Sequence, residues 1–191
     1  MRCRRRGSRR RTNSSRDDEI STTPSALSVA ASRTVTADLI LYSDLNSYGS
    51  VFGGRLVSLI DKTAAISARK HAGGSVVTAA IDSLVFERPA TNGSIITICA
   101  SVNRVFYTSM EVGAVVTSLA PDAEVEERIC RAYLTFVSLD TKGRPTPIRA
   151  VVPESDEEAR RFEQAAIRRT NRLALRQTIA AHTSSEPDDD R

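Results

Sequence analysis

The chain has 191 residues, of which 40% are hydrophobic, and this composition suits a single domain with a hydrophobic core and some unstructured tail. Its formal net charge of +4 is misleading: residues 1–16 contain eight arginines and no acid, so the remainder carries −4. A nucleic-acid interaction would therefore depend on the tail alone. No run approaches about 18 consecutive apolar residues, which argues against a membrane-spanning helix.

Three cysteines, Cys3, Cys99 and Cys130, form no CxxC pair and are odd in number. This spacing argues against a zinc site and against a disulfide framework, and it predicts a reducing compartment, which we take to be the cytoplasm. The two histidines, His71 and His182, are far apart in sequence, so we expect no metal site.

Residues 1–34 show no hydrophobic period and are rich in Arg, Ser and Thr, so we predict a disordered tail. The arginine-rich, acid-poor beginning is similar to a mitochondrial transit peptide, although residues 1–11 lack an apolar helix face. A mitochondrial location is thus the alternative to the cytoplasm. The other interpretation is a solvated tail that touches RNA or acidic surfaces non-specifically, with a steep salt dependence.

A domain is predicted over residues 35–152, beginning with a strand over 35–42. An ordered, irregular loop follows, because its residues favour turns and bonds between side chain and backbone: Asp44, Asn46, Ser47 and Gly49. A long helix is then predicted from Gly53 to about His71, ended by Gly73 and Gly74. Its apolar face is expected to contain Leu56, Leu59, Ile60, Thr63, Ile66 and Ser67.

Four further segments are rich in β-branched and aromatic residues and are joined by short connections: 75–86, 94–104, 108–119 and 128–139. The pattern predicts neighbouring antiparallel strands and an α+β fold with one long helix and about five strands. A last helix is predicted over 153–182, starting at Ser155, where Glu158 completes a capping box. An acidic disordered tail is predicted over 183–191.

The start of the long helix predicts a site for a developing negative charge. The free amides of a first turn carry partial positive charge, and Gly53 and Gly54 have no side chain to keep a carbonyl oxygen away. Asp61 lies seven residues after Gly54, on nearly the same face, but about 10 Å further along the axis. One helix therefore cannot bring its own Asp61 to its own amides, which predicts a site shared by two antiparallel helices at a dimer interface.

This stretch resembles the acyl-CoA thioesterases of the hotdog fold, especially the bacterial YciA type and the brain-type acyl-CoA hydrolases. The resemblance covers about residues 35–177 and extends to segments 77–86, 108–112, 131–137 and 152–158. The residues of the motif itself are Asp44, Asn46, Gly49, Phe52, Gly53, Gly54 and Asp61. It implies a curved antiparallel sheet wrapped round the long helix, plus a C-terminal helix.

The resemblance implies an enzyme that hydrolyses fatty acyl-CoA to a fatty acid and free CoA without a cofactor. Asp61 would act as general base or, alternatively, as nucleophile. Asn46 and the amides of Gly53 and Gly54 would polarise the thioester from the partner protomer. As bare residues they have ordinary alternatives: Asp61 as a solvated helix carboxylate, Asn46 as a turn residue and the glycines as a tight turn.

CoA phosphates and adenine require a basic rim, for which Arg88, Arg104 and Arg144 are candidates. The resemblance also places Thr108 and Ser109 near the pantetheine and nucleotide, although Phe106 stands where YciA-type proteins usually have glycine. We expect a homo-oligomer with a dimer as the minimal active unit and a hexamer, a trimer of dimers, as the assembly.

The positions of the two histidines argue against two other activities, dehydration and Ser-His-Asp catalysis. Neither histidine is at the helix position of the catalytic histidine in hotdog dehydratases, and no GxSxG motif supports a Ser-His-Asp enzyme. The alternative function is a non-catalytic acyl-CoA-binding hotdog sensor or scaffold, against which the presence of both Asn46 and Asp61 argues.

Overall fold

The computed structural model describes residues 26–183, so most of the predicted N-terminal tail and the acidic tail after residue 183 lie outside the described residues. Within this range the elements, in chain order, are β1 (Leu27–Ser28), α1 (Val29–Ser32), β2 (Thr34–Leu39), a 3-10 turn (Tyr42–Asp44), α2 (Gly53–Ala72), β3 (Ser75–Phe86), β4 (Ile95–Phe106), β5 (Ser109–Leu119), β6 (Glu127–Leu139), β7 (Val151–Val152) and α3 (Asp156–Thr183).

Five strands form one antiparallel sheet in the order β2-β4-β5-β6-β3. Register shifts interrupt the pairing in β3, at 78–80 and 81–83, and in β4 and β5. Such bulges bend and twist a sheet, and here the sheet curves round α2. The α+β prediction and the hotdog arrangement, with its five strands, central helix and C-terminal helix, are confirmed.

Helix α2 begins at Gly53, as predicted, and ends at Ala72, where Gly73 follows as the C-cap with the left-handed φ of 70° that is typical of a glycine cap. Its buried residues pack against the concave face of the sheet: Leu56, Ile60, Thr63, Ala64, Ser67, Ala68 and His71. The predicted apolar face was wrong at Ile66, which is 38% exposed because it lies beside an open cavity between α2 and the β2 edge of the sheet.

Residues 27–32 differ from the prediction of a disordered tail up to residue 34. Strand β1 pairs in parallel with β7, and the Val29 side chain is buried in the core. The Ser32 hydroxyl donates to the Val29 carbonyl oxygen and accepts from the Val102 amide at 2.9 Å. These contacts come from distant residues, which is why local composition did not reveal the order.

Helix α3 lies across the outer face of the sheet and is attached largely by charged groups. Arg168 binds the carboxylate of Glu111 through two hydrogen bonds, of 2.9 and 2.7 Å. Arg172 binds Asp82 and also donates to the Thr135 hydroxyl at 2.6 Å. Among the described residues, no helix is long and apolar enough to cross a membrane, and no group of three or more His, Cys, Asp or Glu residues is placed to hold a metal ion.

His71 makes the fold sensitive to mild acid. Its Nε2 donates to the Arg149 carbonyl oxygen at 2.9 Å, and its buried Nδ1 has no partner among residues 26–183, an environment that favours the neutral ring. Burial lowers the pKa of His71 below its ordinary value of 6.5. The unfolded chain therefore binds a proton that the folded chain rejects, and stability is lost as the pH falls below about 6.5.

We expect the free energy of unfolding, from urea titrations between pH 7.5 and 5.5, to fall by at most about 1.4 kcal/mol per pH unit. His71→Gln keeps a donor for Arg149 and should remove this slope. Carboxylates with lowered pKa values, such as Asp140, lose their contribution only at lower pH. An equal slope in both proteins would contradict this role of His71.

Candidate active site

The first turn of α2 presents the backbone amides of two glycines, Gly53 and Gly54. Phe52 takes the N-cap position, and its carbonyl oxygen accepts from the amides of Arg55 and Leu56. No described residue accepts a hydrogen bond from the amides of Gly53 or Gly54. A Cβ at Gly54 would lie 2.5 Å from Cε1 of Phe52, so a larger residue would require the exposed Phe52 ring to move. Both amides remain available as donors to an oxyanion.

Asn46 is fixed within the loop before α2. Its Oδ1 accepts from the backbone amides of Tyr48, at 2.9 Å, and Ser50, at 3.3 Å, and its Nδ2 donates to the Ser50 hydroxyl at 3.0 Å. The residue therefore makes the turn bonds expected of an ordinary asparagine. Since Nδ2 has two hydrogens, one N–H is still free to bind another acceptor.

An ion-pair network attaches this loop to α2. The Arg55 guanidinium contacts Asp44 and Asp38, each at 2.9 Å. The Asp44 carboxylate also accepts from the Leu41 amide at 3.0 Å, and this bond, with the help of Arg55, lowers the pKa of Asp44. The network fixes the direction in which the loop enters the helix.

Asn46 and Gly53 line one cleft of about 380 Å³, together with Ser50, Val51, Leu56, Phe86, Glu87, Arg88 and Pro89. Arg88, predicted to contact CoA, is thus beside the predicted oxyanion site, where it pairs with Glu127 at 2.6 Å. The cleft combines an amide donor, a side-chain amide and a guanidinium over an apolar floor. That combination suits a ligand with a polar carbonyl and an anionic end.

Asp61 does not line this cleft. It is half-buried on α2, two turns after Gly54, and its Oδ1 accepts a hydrogen bond of 2.8 Å from the hydroxyl of Thr78 on β3. Thr78 was not identified from the sequence. The only signal for it was its place at the start of a strand that follows the helix, and the contact became apparent only once β3 was placed beside α2.

The other predicted CoA contacts lie elsewhere. Arg104 stacks on Phe162 at 4.0 Å and pairs with Glu163, so it serves the attachment of α3. Ser109 is buried, and its hydroxyl accepts a hydrogen bond of 3.1 Å from Arg169 of α3. Thr108 precedes it in the β4–β5 turn. Arg144 pairs with Asp140. The structure therefore brings Arg88 to the cleft but not these four residues.

Cys130 is not a candidate nucleophile. Burial raises the pKa of its thiol to about 11, with a smaller contribution from Glu87. The thiol stays protonated at neutral pH, and a protonated thiol is a poor nucleophile.

Comparison with known proteins gives consistent matches. The family model "Thioesterase superfamily" matches residues 48–122. The rat protein "Cytosolic acyl coenzyme A thioester hydrolase" is 31% identical over 86% of this chain, which spans only 43% of that protein's length. A solved "Apo-Hexameric Acyl-CoA Thioesterase" is 37% identical with a TM-score of 0.77, covering 79% of this chain and 97% of the other.

An acyl-CoA hydrolase from Staphylococcus aureus, solved with butyryl coenzyme A, coenzyme A and coenzyme A disulfide, is 34% identical with a TM-score of 0.77, covering 82% of this chain and 96% of the other. Three more structures of that hydrolase are alanine variants at an asparagine, an aspartate and a threonine, separated by 15 and then 17 positions. Asn46, Asp61 and Thr78 have the same order and spacing.

Proposed function

This chain belongs to the acyl-CoA thioester hydrolases of the thioesterase superfamily, and we propose that it hydrolyses fatty acyl-CoA to a free fatty acid and CoA. The observation that carries the proposal is the division of the site. One cleft offers Asn46 and the Gly53 amide, whereas Asp61 is held by Thr78 outside that cleft. A complete site then needs Asp61 from a second copy of the chain.

Strand β3 is the element through which two copies would pair. It is an edge strand of the sheet, and large apolar side chains are exposed along it: Val77, Ile81, Val85 and Phe86. An edge strand has unpaired backbone groups that can bind another strand. In an antiparallel pairing centred on Asp82, Thr78 would lie opposite the partner's Phe86, which lines the cleft.

In this arrangement the Asp61 carboxylate takes a proton from a water molecule as that water attacks the thioester carbonyl. The amides of Gly53 and Gly54 and the free N–H of Asn46 stabilise the oxyanion that forms. When the carbon–sulfur bond breaks, the proton moves from Asp61 to the departing CoA sulfur, which completes the cycle. The Thr78 hydroxyl holds the carboxylate in position, and Arg88 meets an anionic part of CoA.

The usual rate contributions of a general base and of oxyanion donors are large enough for a site with so few catalytic groups. A positioned base contributes about 10² to 10⁴ in rate, and one oxyanion donor about 10² to 10³.

A direct attack of Asp61 on the thioester, giving an anhydride, is the other route open to this carboxylate. Hydrolysis in ¹⁸O-labelled water under single-turnover conditions distinguishes the two, because only direct attack places the label in Asp61 first.

Two inactive variants should restore activity when they are combined. Asn46→Ala and Asp61→Asn are each expected to be inactive in thiol release from acyl-CoAs of short to long chain length. After unfolding and joint refolding, half of the dimers are mixed and each has one intact site, which gives about a quarter of wild-type activity.

The control for this experiment is a mixture of either variant with itself, treated in the same way. Light scattering during chromatography gives the assembly, for which we propose a trimer of dimers. Full activity in a monomer, or no recovery in mixed oligomers, would overturn the shared site. If wild type binds acyl-CoA and releases no thiol, the chain is a binding module and the hydrolase proposal fails.

A further inference from the structure

A second cavity, of about 310 Å³, lies between α2 and the edge strand β2. It is lined from the helix by Leu59, Lys62, Thr63 and Ile66, from β2 by Thr36, Ala37 and Asp38, and from β4 by Ile98. None of these residues lines the cleft that contains Asn46 and Gly53. This cavity, which we call the lateral cavity, is therefore separate from the candidate active site.

The interior of the lateral cavity favours an apolar ligand. Ile98 is buried beneath it, whereas Ile66 on its wall stays 38% exposed although it is a large apolar side chain. The two hydroxyls that line the cavity are already engaged. Thr63 donates to the Leu59 carbonyl oxygen at 2.8 Å and accepts from the Thr36 hydroxyl at 2.8 Å. Because neither hydroxyl has a hydrogen left to donate, an aliphatic chain fits this interior better than a polar group.

The two charged side chains that line the lateral cavity differ in their partners. The Asp38 carboxylate is bound by the Arg55 guanidinium at 2.9 Å. Lys62 is exposed and forms no ion pair with any residue in the described part of the chain. The ammonium group of Lys62 is thus free to bind the anionic head of a ligand whose apolar part enters the cavity.

From this arrangement we propose that the lateral cavity binds a free fatty acid of medium chain length. The chain lies against Leu59, Ile66 and Ile98, and the carboxylate binds the Lys62 ammonium group. The cavity volume is at the low end for ligand pockets, so a small ligand fits and an entire acyl-CoA does not.

A fatty acid is also the product of the hydrolysis proposed above. The role of the lateral cavity as a product site therefore rests on that proposed function, whereas the binding of a fatty acid does not. A bound chain would contact α2, the helix that carries both Gly53 and Asp61, on the side next to β2. Asp61 contacts Thr78 on β3, at the opposite edge of the sheet, so the catalytic carboxylate and the lateral cavity do not share a wall.

Methyl NMR of the full chain with labelled isoleucine, titrated with decanoate, tests the proposal. The methyl resonances of Ile66 and Ile98 should shift until they saturate, because both side chains line the lateral cavity. The resonances of Ile148, which lies outside the cavity, should not shift. Along the series from hexanoate to decanoate, each added methylene should tighten binding by up to about fourfold, as expected when one methylene is buried.

Two variants separate the contribution of the charge from that of the apolar wall. Lys62→Gln should weaken decanoate binding about three- to fivefold, the upper end for an exposed ion pair, and should leave the binding of decanol unchanged because decanol has no carboxylate. Ile66→Asn should weaken both ligands about fivefold or more, with Ile98 as the remaining probe. Lys142→Gln removes an exposed ammonium group outside the cavity, and as the matched control it should change affinity less than twofold.

Saturable shifts of Ile66 and Ile98, with a loss of affinity in Lys62→Gln for decanoate alone, support the proposal. It is overturned if neither methyl resonance shifts at millimolar decanoate, or if Lys62→Gln weakens decanol as much as decanoate. An equal loss in Lys142→Gln also overturns it. Asp61→Asn should bind decanoate as wild type does, so the fatty-acid site and the hydrolase proposal can fail independently.

Discussion

Replacement of Asp61 by asparagine is expected to lower kcat for thiol release by about 10² to 10⁴ and to leave the assembly intact. Asparagine has the same shape and can still accept the hydrogen bond from Thr78, so the packing of α2 against β3 is retained. What is lost is the ability to take a proton from water. KM should change little, because the carboxylate acts on the reacting atoms rather than on CoA.

Asp122→Asn is the matched control, since it removes a carboxylate from an exposed loop that does not line the cleft. Its rate should equal that of wild type across the acyl-CoA panel. Light scattering must show the same particle for all three proteins. If kcat of Asp61→Asn falls by less than about tenfold, Asp61 has only a structural role and the general-base proposal is wrong.

Replacement of Glu111 by glutamine should lower the free energy of unfolding by about 3 kcal/mol, the lower end of the cost of breaking a buried ion pair. Glu111 is 2% exposed, and both of its oxygens are used, by Arg168 and by Asn103. Without the carboxylate the Arg168 guanidinium is left largely buried, over the ring of Tyr133, with no counter-charge. In a chain of this size the loss corresponds to a fall in Tm of about 6 to 12 °C.

Glu127→Gln provides the comparison, because its pair with Arg88 is exposed on both sides, at 61% and 56%. Exposed pairs contribute about 0 to 1 kcal/mol, so little change is expected. A double variant, Glu111→Met with Arg168→Met, should recover much of the stability, since apolar residues remove both buried charges together. If Glu111→Gln and Glu127→Gln lower the free energy of unfolding equally, the buried ion pair does not hold α3 on the sheet.

The sequence predicted those parts of the molecule whose causes are local. The start of α2 at Gly53 follows from turn residues and a glycine pair within ten positions, and β3 occupies the predicted segment 75–86. Order at residues 27–32 was missed because it depends on Val29 entering a distant core. Thr78 was missed for the same reason, because its role depends on a hydrogen bond from β3 to Asp61 on α2.

The arginines of α3 illustrate a different limit. In the fold Arg168 and Arg172 reach buried carboxylates on β5 and β3, contacts that the sequence did not predict. Which acid a basic residue meets depends on the angle at which the helix crosses the sheet, and sequence order contains no such angle. The same holds for Arg104, a candidate for the basic rim, and for Ser109, which the resemblance placed near CoA, since both contact α3 in the fold.

The unpaired edge of β3 also affects how this protein resists aggregation at different protomer concentrations. A protomer on its own exposes Val77, Ile81 and Val85 beside unpaired backbone groups, which is the kind of strand that aggregates with any similar strand. In the proposed dimer, pairing between two copies would compete with that process, and its contribution to stability would grow with protomer concentration by mass action. Dilution of the proposed dimer would therefore expose this edge and lower activity, and melting temperatures of this chain should be compared at one stated concentration.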